Sequence, residues 1–159
     1  MKKEVINHFI FWLSYFIFLT LANSLYSFSY WPLYVGGLVG SFMSNLDHLL
    51  HVFVLNTQEL TSIRVITLIK YKQYKDAIKL LYDTKEERTN LIFHTNNFQL
   101  IFTILTFWVV SSSGNLFARG LVLSYLLSLV IFNLKKYIAK TDNNFIWMTL
   151  ALFVFGLLL

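Results

Sequence analysis

The sequence predicts an all-α, polytopic transmembrane helical bundle of four to five spans, and three observations carry that expectation. Hydrophobic residues make up 57% of the 159 residues and charged residues only 13%. Mean hydropathy is +0.60, outside the range of soluble globular chains. The apolar residues also gather into long stretches rather than alternating with charge.

The spans expected are residues 9–30, 31–55, 91–112, 116–134 and 145–159, with one long loop over 56–90, all within a single integral membrane domain over 1–159. A helix needs about 20 residues to cross a hydrocarbon core of about 30 Å. The first four stretches meet that need, and the fifth crosses only with tilt or local thinning. Lys2 and Lys3 ahead of the first stretch give it the look of a signal peptide. Asn23 and Ser24 interrupt it, no small-residue cleavage site follows, and another stretch comes directly after, so it is expected to remain as an anchor.

The second stretch opens on Trp31-Pro32, and proline suits a first helical turn because its missing amide hydrogen would be unpaired there anyway. Gly36, Gly40 and Ser44 recur every four residues and form a smooth strip that a neighbouring helix can approach. The same stripe continues to Asp47, His48 and His51. The 56–90 loop carries Ile63, Ile66, Ile69, Ile78, Leu81 and Tyr82 among lysines. This pattern predicts short amphipathic helices on the membrane surface, with a solvated connector as the alternative. Thr84 and Glu87 read as a capping box opening a helix from about Lys85 into the third stretch. That stretch begins with His94, Thr95, Asn96, Asn97 and Gln99; the fourth carries Ser124, Ser128 and Asn133, and the fifth has no comparable polar residues.

Charge sets the orientation. Lys2, Lys3, the basic residues of the 56–90 loop, Lys135, Lys136 and Lys140 all fall on one side of the spans, and Arg119 falls on the other. The positive-inside rule makes the first side cytoplasmic, which places a multi-pass chain in the cytoplasmic (inner) membrane with its N-terminus inside. Anionic lipid at that face accounts for the net charge of +5, with no nucleic-acid partner required. The chain has no cysteine, so a disulfide framework, a thiolate metal site and a cysteine nucleophile are all excluded.

Asp47 is the one acidic residue inside an apolar stretch, where a carboxylate costs roughly 2.5–3.5 kcal/mol. At 1.5 Å per helical residue, Asp47 to His51 lie roughly 6–12 Å inside the cytoplasmic end of the second span, His94 comparably deep in the third, and Ser128 about 9 Å inside the fourth. Imidazole and carboxylate at one level suit Zn²⁺ or another divalent metal such as Mn²⁺ or Fe²⁺. Such an ion would offset the charge of Asp47 and generate hydroxide from bound water. With no metal, an Asp47–His94 hydrogen bond or a protonated Asp47 satisfies the same physics. His8, alone ahead of the first span, is assigned to the interface.

Gly36-Gly37-Leu38-Val39-Gly40, Asn45-Leu46-Asp47-His48 and Arg88-Thr89-Asn90-Leu91-Ile92-Phe93-His94-Thr95 together resemble the LexA-regulated, membrane-bound metal-dependent hydrolases of the inner membrane. That family shows Pro-Asp-x-Asp-His, a block ending near Thr-His-Ser, and a late His-x-x-x-Asp. The resemblance implies a membrane helical fold, Asp47 and His94 as catalytic residues, and Asp47, His48 and His94 as metal ligands, with His51, Asn45 and Ser128 as further donors. Ser44-Asn45 stand where the family has Pro-Asp, and Ser128 to Phe132 stand where it has the late pair, so the site is that of a degenerate member. Three functions follow as expectations: a hydrolase-like protein with weakened or lost activity, a non-catalytic scaffold or subunit, and a proton-coupled transporter. The bilayer is the expected partner, with a protein or a second copy on the Gly36/Gly40 face.

Overall fold

The computed structural model describes residues 2–43, 46–84, 92–138 and 144–159, and these residues form helices and turns with no strand among them. The chain, expected as one domain, divides into two compact units, Met1–Ser44 with His94–Leu159, and Asn45–Phe93.

In the larger unit, α1 (Lys2–Ala22), α2 (Trp31–Met43), α6 (Asn96–Ser112) and α8 (Asn144–Leu157) accompany α7 (Leu116–Ile138). α7 is buried without interruption from Val122 to Val130, as befits a helix apolar on every side. It is also the one helix among the described residues long and apolar enough to cross a membrane, with 23 residues and a mean hydropathy of 1.8. The finer expectation for the first stretch is revised. α1 stops at Ala22 because Ser24 takes a left-handed conformation with φ 53°. The Leu25 N–H then returns to the Thr20 carbonyl at 3.0 Å, a Schellman closure with serine where glycine is usual.

Glycine sets the contact between α2 and α7. A Cβ at Gly36 would strike the Phe117 carbonyl oxygen, one at Gly40 the Leu121 carbonyl, and one at Gly120 the Leu33 carbonyl. The two backbones therefore touch directly. The Gly36/Gly40 face, expected to receive a partner or a second copy, is filled by α7 of the same chain. α1 joins through Thr20 and Tyr34, whose hydroxyls lie 2.8 Å apart, and through the Tyr15 hydroxyl, which donates to the Leu152 carbonyl of α8 at 3.0 Å.

This unit buries an apolar core together with several polar side chains, and it also exposes large apolar side chains. α6 buries Gln99, Thr103 and Thr106, yet exposes Leu100, Ile101, Ile104, Phe107 and Trp108. Ile6, Phe9, Ile10, Leu13 and Ile17 of α1, and Leu150, Phe153, Val154 and Leu157 of α8, are exposed as well.

The smaller unit contains α3 (Leu46–Leu50), a π-helical turn over His51–Leu55, α4 (Leu60–Lys70) and α5 (Tyr74–Asp83). Of the 31–55 stretch, expected as one span, α2 covers 31–43 and α3 runs without a break into the π turn over 46–55, with residues 44 and 45 outside the described residues. α4 ends at a second Schellman closure, with Lys72 at φ 59° and the Gln73 N–H bonded to the Leu68 carbonyl. Thr84 closes α5, its hydroxyl donating to the Leu80 carbonyl at 2.8 Å, while Glu87, the other half of the expected capping box, and the helix expected from Lys85 lie outside the described residues. α6 begins later than expected, at Asn96, because the Thr95 side chain caps it by accepting from the Phe98 N–H.

Gly36→Leu and Gly120→Val should each lower unfolding stability in detergent by at least ~1 kcal/mol, since overpacking costs about 1–3 kcal/mol even where side chains can yield, and here the obstacle is backbone. Gly114→Ala, with nothing within 4 Å of the added carbon, should leave the melting temperature unchanged.

Candidate functional site

The polar residues expected at one depth divide between the two units, Asp47 and His51 in the smaller and His94 and Ser128 in the larger. In the smaller unit, Asp47 stands in the first turn of α3 and is fully buried. Its Oδ2 accepts the backbone N–H of Phe93 at 2.9 Å. A carboxylate makes a strong acceptor for such an amide, so Asp47 holds the 3-10 turn Ile92–His94. Asn45 and the side chain of His48 lie outside the described residues.

His51 opens the π-helical turn, a form enriched at functional positions. Its ring is 2% exposed, and Nε2 lies 3.0 Å from Asn56 Nδ2. The same amide donates to Glu59 Oε1 at 3.0 Å, while Glu59 Oε2 lies 3.9 Å from His51 Nδ1. An amide nitrogen can only donate, so Nε2 accepts from Asn56, and Nδ1 makes no hydrogen bond among the described residues. His51, expected as an additional metal donor, is thereby engaged with Asn56 and Glu59. Sequence reasoning passed over both. Asn56, five residues on, fits no α-helical face with His51, and the wider π turn, closed by the Asn56 N–H on the His51 carbonyl at 2.8 Å, brings it to the ring, while Glu59 stands at the N-cap of α4.

In the larger unit, His94 packs its ring on Phe132, with centroids 4.1 Å apart and planes at 64°. Lys136 Nζ stands 4.8 Å from the centroid of the same phenyl ring, within cation–π range. Phe132 thus supplies an aromatic surface to both His94 and Lys136. Ser128 is buried and donates to the Ser124 carbonyl of its own helix at 3.1 Å. Among the described residues, no group of three or more His, Asp or Glu could hold a metal ion.

The most developed polar arrangement joins residues that the sequence marks only separately. Gln99 of α6 and Asn133 of α7 are both fully buried and exchange two amide hydrogen bonds. Asn133 Nδ2 donates to Gln99 Oε1 at 2.9 Å, and Gln99 Nε2 donates to Asn133 Oδ1 at 3.3 Å. Gln99 Nε2 also reaches the His94 carbonyl at 3.2 Å, and Asn133 Nδ2 lies 2.9 Å from the Met148 sulfur of α8. Three helices are clasped at one point. Each NH₂ group uses both of its hydrogens and each side-chain carbonyl accepts one bond.

No family model matches this chain, and neither a curated protein nor a solved structure matches it.

Gln99→Leu leaves Asn133 without its reciprocal partner and should destabilise the protein by about 1 kcal/mol, the scale of interhelical hydrogen bonds in membranes and of unmet buried groups. In a double-mutant cycle read by thermal unfolding, the Gln99→Leu/Asn133→Leu pair should cost less than the sum of the two single changes.

Proposed function

We propose that this chain is a multi-pass integral membrane protein of the cytoplasmic membrane, N-terminus inside, acting as a non-catalytic scaffold or complex subunit. The observation that carries the membrane reading is the side-chain distribution in the larger unit: amides and hydroxyls of α6 and α7 face inward, while α1, α6 and α8 expose rows of Leu, Ile, Phe, Val and Trp. Exposed apolar surface on this scale is costly in water and neutral in lipid, and interior amides are the glue of helices packed in a bilayer. With α7 as the central span, the apolar stretches holding α1, α2, α6 and α8 supply the remaining spans.

The non-catalytic reading is supported by what the expected site residues touch. Asp47 binds a backbone amide, His94 lies on Phe132, and Ser128 turns back on its own helix. These are bonds that fix backbone and packing. The resemblance to membrane-bound hydrolases then reflects a shared helical frame and the remnant of a metal site.

Two measurements test this. The absence of cysteine makes single-cysteine labelling direct: Asn115→Cys should react from outside intact cells and Thr57→Cys only after permeabilisation, whereas labelling of both from one side sinks the multi-pass arrangement. For the second, protein purified without chelator should carry no stoichiometric divalent metal. One equivalent of zinc or manganese that disappears in Asp47→Asn would restore the hydrolase reading.

A further inference from the structure

The scaffold role makes no use of an apolar ridge on α5 of the smaller unit, and we infer that this ridge is a docking surface for the anionic headgroup layer of a bilayer. The inference rests on the membrane reading above and adds a specific contact to it. Tyr74 and Ile78 are one helical turn apart and share a face. They are 57% and 68% exposed, and Tyr71, just ahead of the helix, is 73% exposed. Lys75 and Lys79 each lie one residue further on and so border the ridge at about 100° around the axis. Asp76 and Asp83 fall on the opposite face, and Ala77, on the other border, is the buried residue of α5. The turn with Lys72 at positive φ places Lys70, Tyr71 and Lys72 next to the start of this helix.

Lys70, Lys72, Lys75 and Lys79 are all exposed, and among the described residues none of them pairs with a carboxylate. Four free cations beside an aromatic and aliphatic ridge match the chemistry of a lipid surface. Tyrosine settles at the headgroup level, isoleucine enters the acyl boundary, and lysine stems lie along apolar surface while their ammonium groups reach phosphate. A stable protein interface buries about 800 Å² per partner, more than three side chains provide. A surface already tethered to the bilayer by spans needs far less, because tethering raises its effective concentration there.

The test uses the full chain carrying Ile78→Cys with an environment-sensitive bimane label, reconstituted in nanodiscs of phosphatidylcholine alone or of phosphatidylcholine with phosphatidylglycerol. The expected result is a blue-shifted emission only in the anionic discs, reversed by high salt and lost in the Lys75→Gln/Lys79→Gln background. Equal emission in both discs overturns the inference, and a blue shift already present in neutral discs does so by indicating a protein neighbour. Retention of the chain in discs after alkaline washing is scored separately. Failure there overturns the membrane reading and this inference together, whereas retention with lipid-independent emission overturns this inference alone.

Discussion

The larger unit is organised by the distance at which α2 and α7 meet. Gly36, Gly40 and Gly120 bring the two backbones into contact, so each helix rests on carbonyl oxygens of the other. Close approach of this kind maximises dispersion contacts along both backbones, which is what drives association where the surroundings are as apolar as the helices. It also leaves α7 enclosed through its middle, so the remaining helices take their places around an axis already fixed. Gly37 extends the arrangement to α1 by giving room to the Phe16 ring, and Gly156 of α8 gives room to Leu19 and Tyr15.

With the outward faces apolar, most interior polar groups find a partner inside, although Trp12 Nε1 and Ser124 Oγ make no hydrogen bond among the described residues. Thr103 and Thr106 donate to carbonyls one turn back on α6, and Ser128 does the same on α7. Gln99 and Asn133 cannot satisfy themselves within one helix, so they satisfy each other across two and recruit Met148 from a third. The result specifies register as well as contact: sliding α6 by one residue against α7 would separate the amides and strand both. Packing of small residues brings the helices near, and the amide pair fixes where along their length they stop.

Much of this was legible in the chain. The all-α class followed from apolar stretches with helical spacing, and the four-residue recurrence of Gly36 and Gly40 correctly announced a close helix contact, although its partner lies within the chain. Helix ends were harder to read, because the closures after α1 and α4 place Ser24 and Lys72 in a conformation that sequence reasoning associates with glycine. The N-cap of α6 at Thr95 was passed over for a related reason. A threonine hydroxyl can close one helix by bonding backwards or open another by bonding forwards, and the residue type alone does not distinguish them. Asp47 and His94 were visible as polar residues in apolar surroundings, but their partners, a backbone amide and a phenyl ring, carry no motif. Asn56 stayed hidden because the π turn changes the spacing by one residue.

The bond from Asp47 to the Phe93 amide joins positions 46 residues apart, almost the two ends of the smaller unit. Closing a loop of that length costs roughly 3 kcal/mol of chain entropy, and a hydrogen bond to a charged acceptor contributes roughly 1.5–3 kcal/mol, so this bond offsets much of the closure. The unit thereby has its two ends held together. Topologically it is an insert with a clasp, the form in which one folded segment can lengthen, shorten or be exchanged while its host keeps its own connectivity.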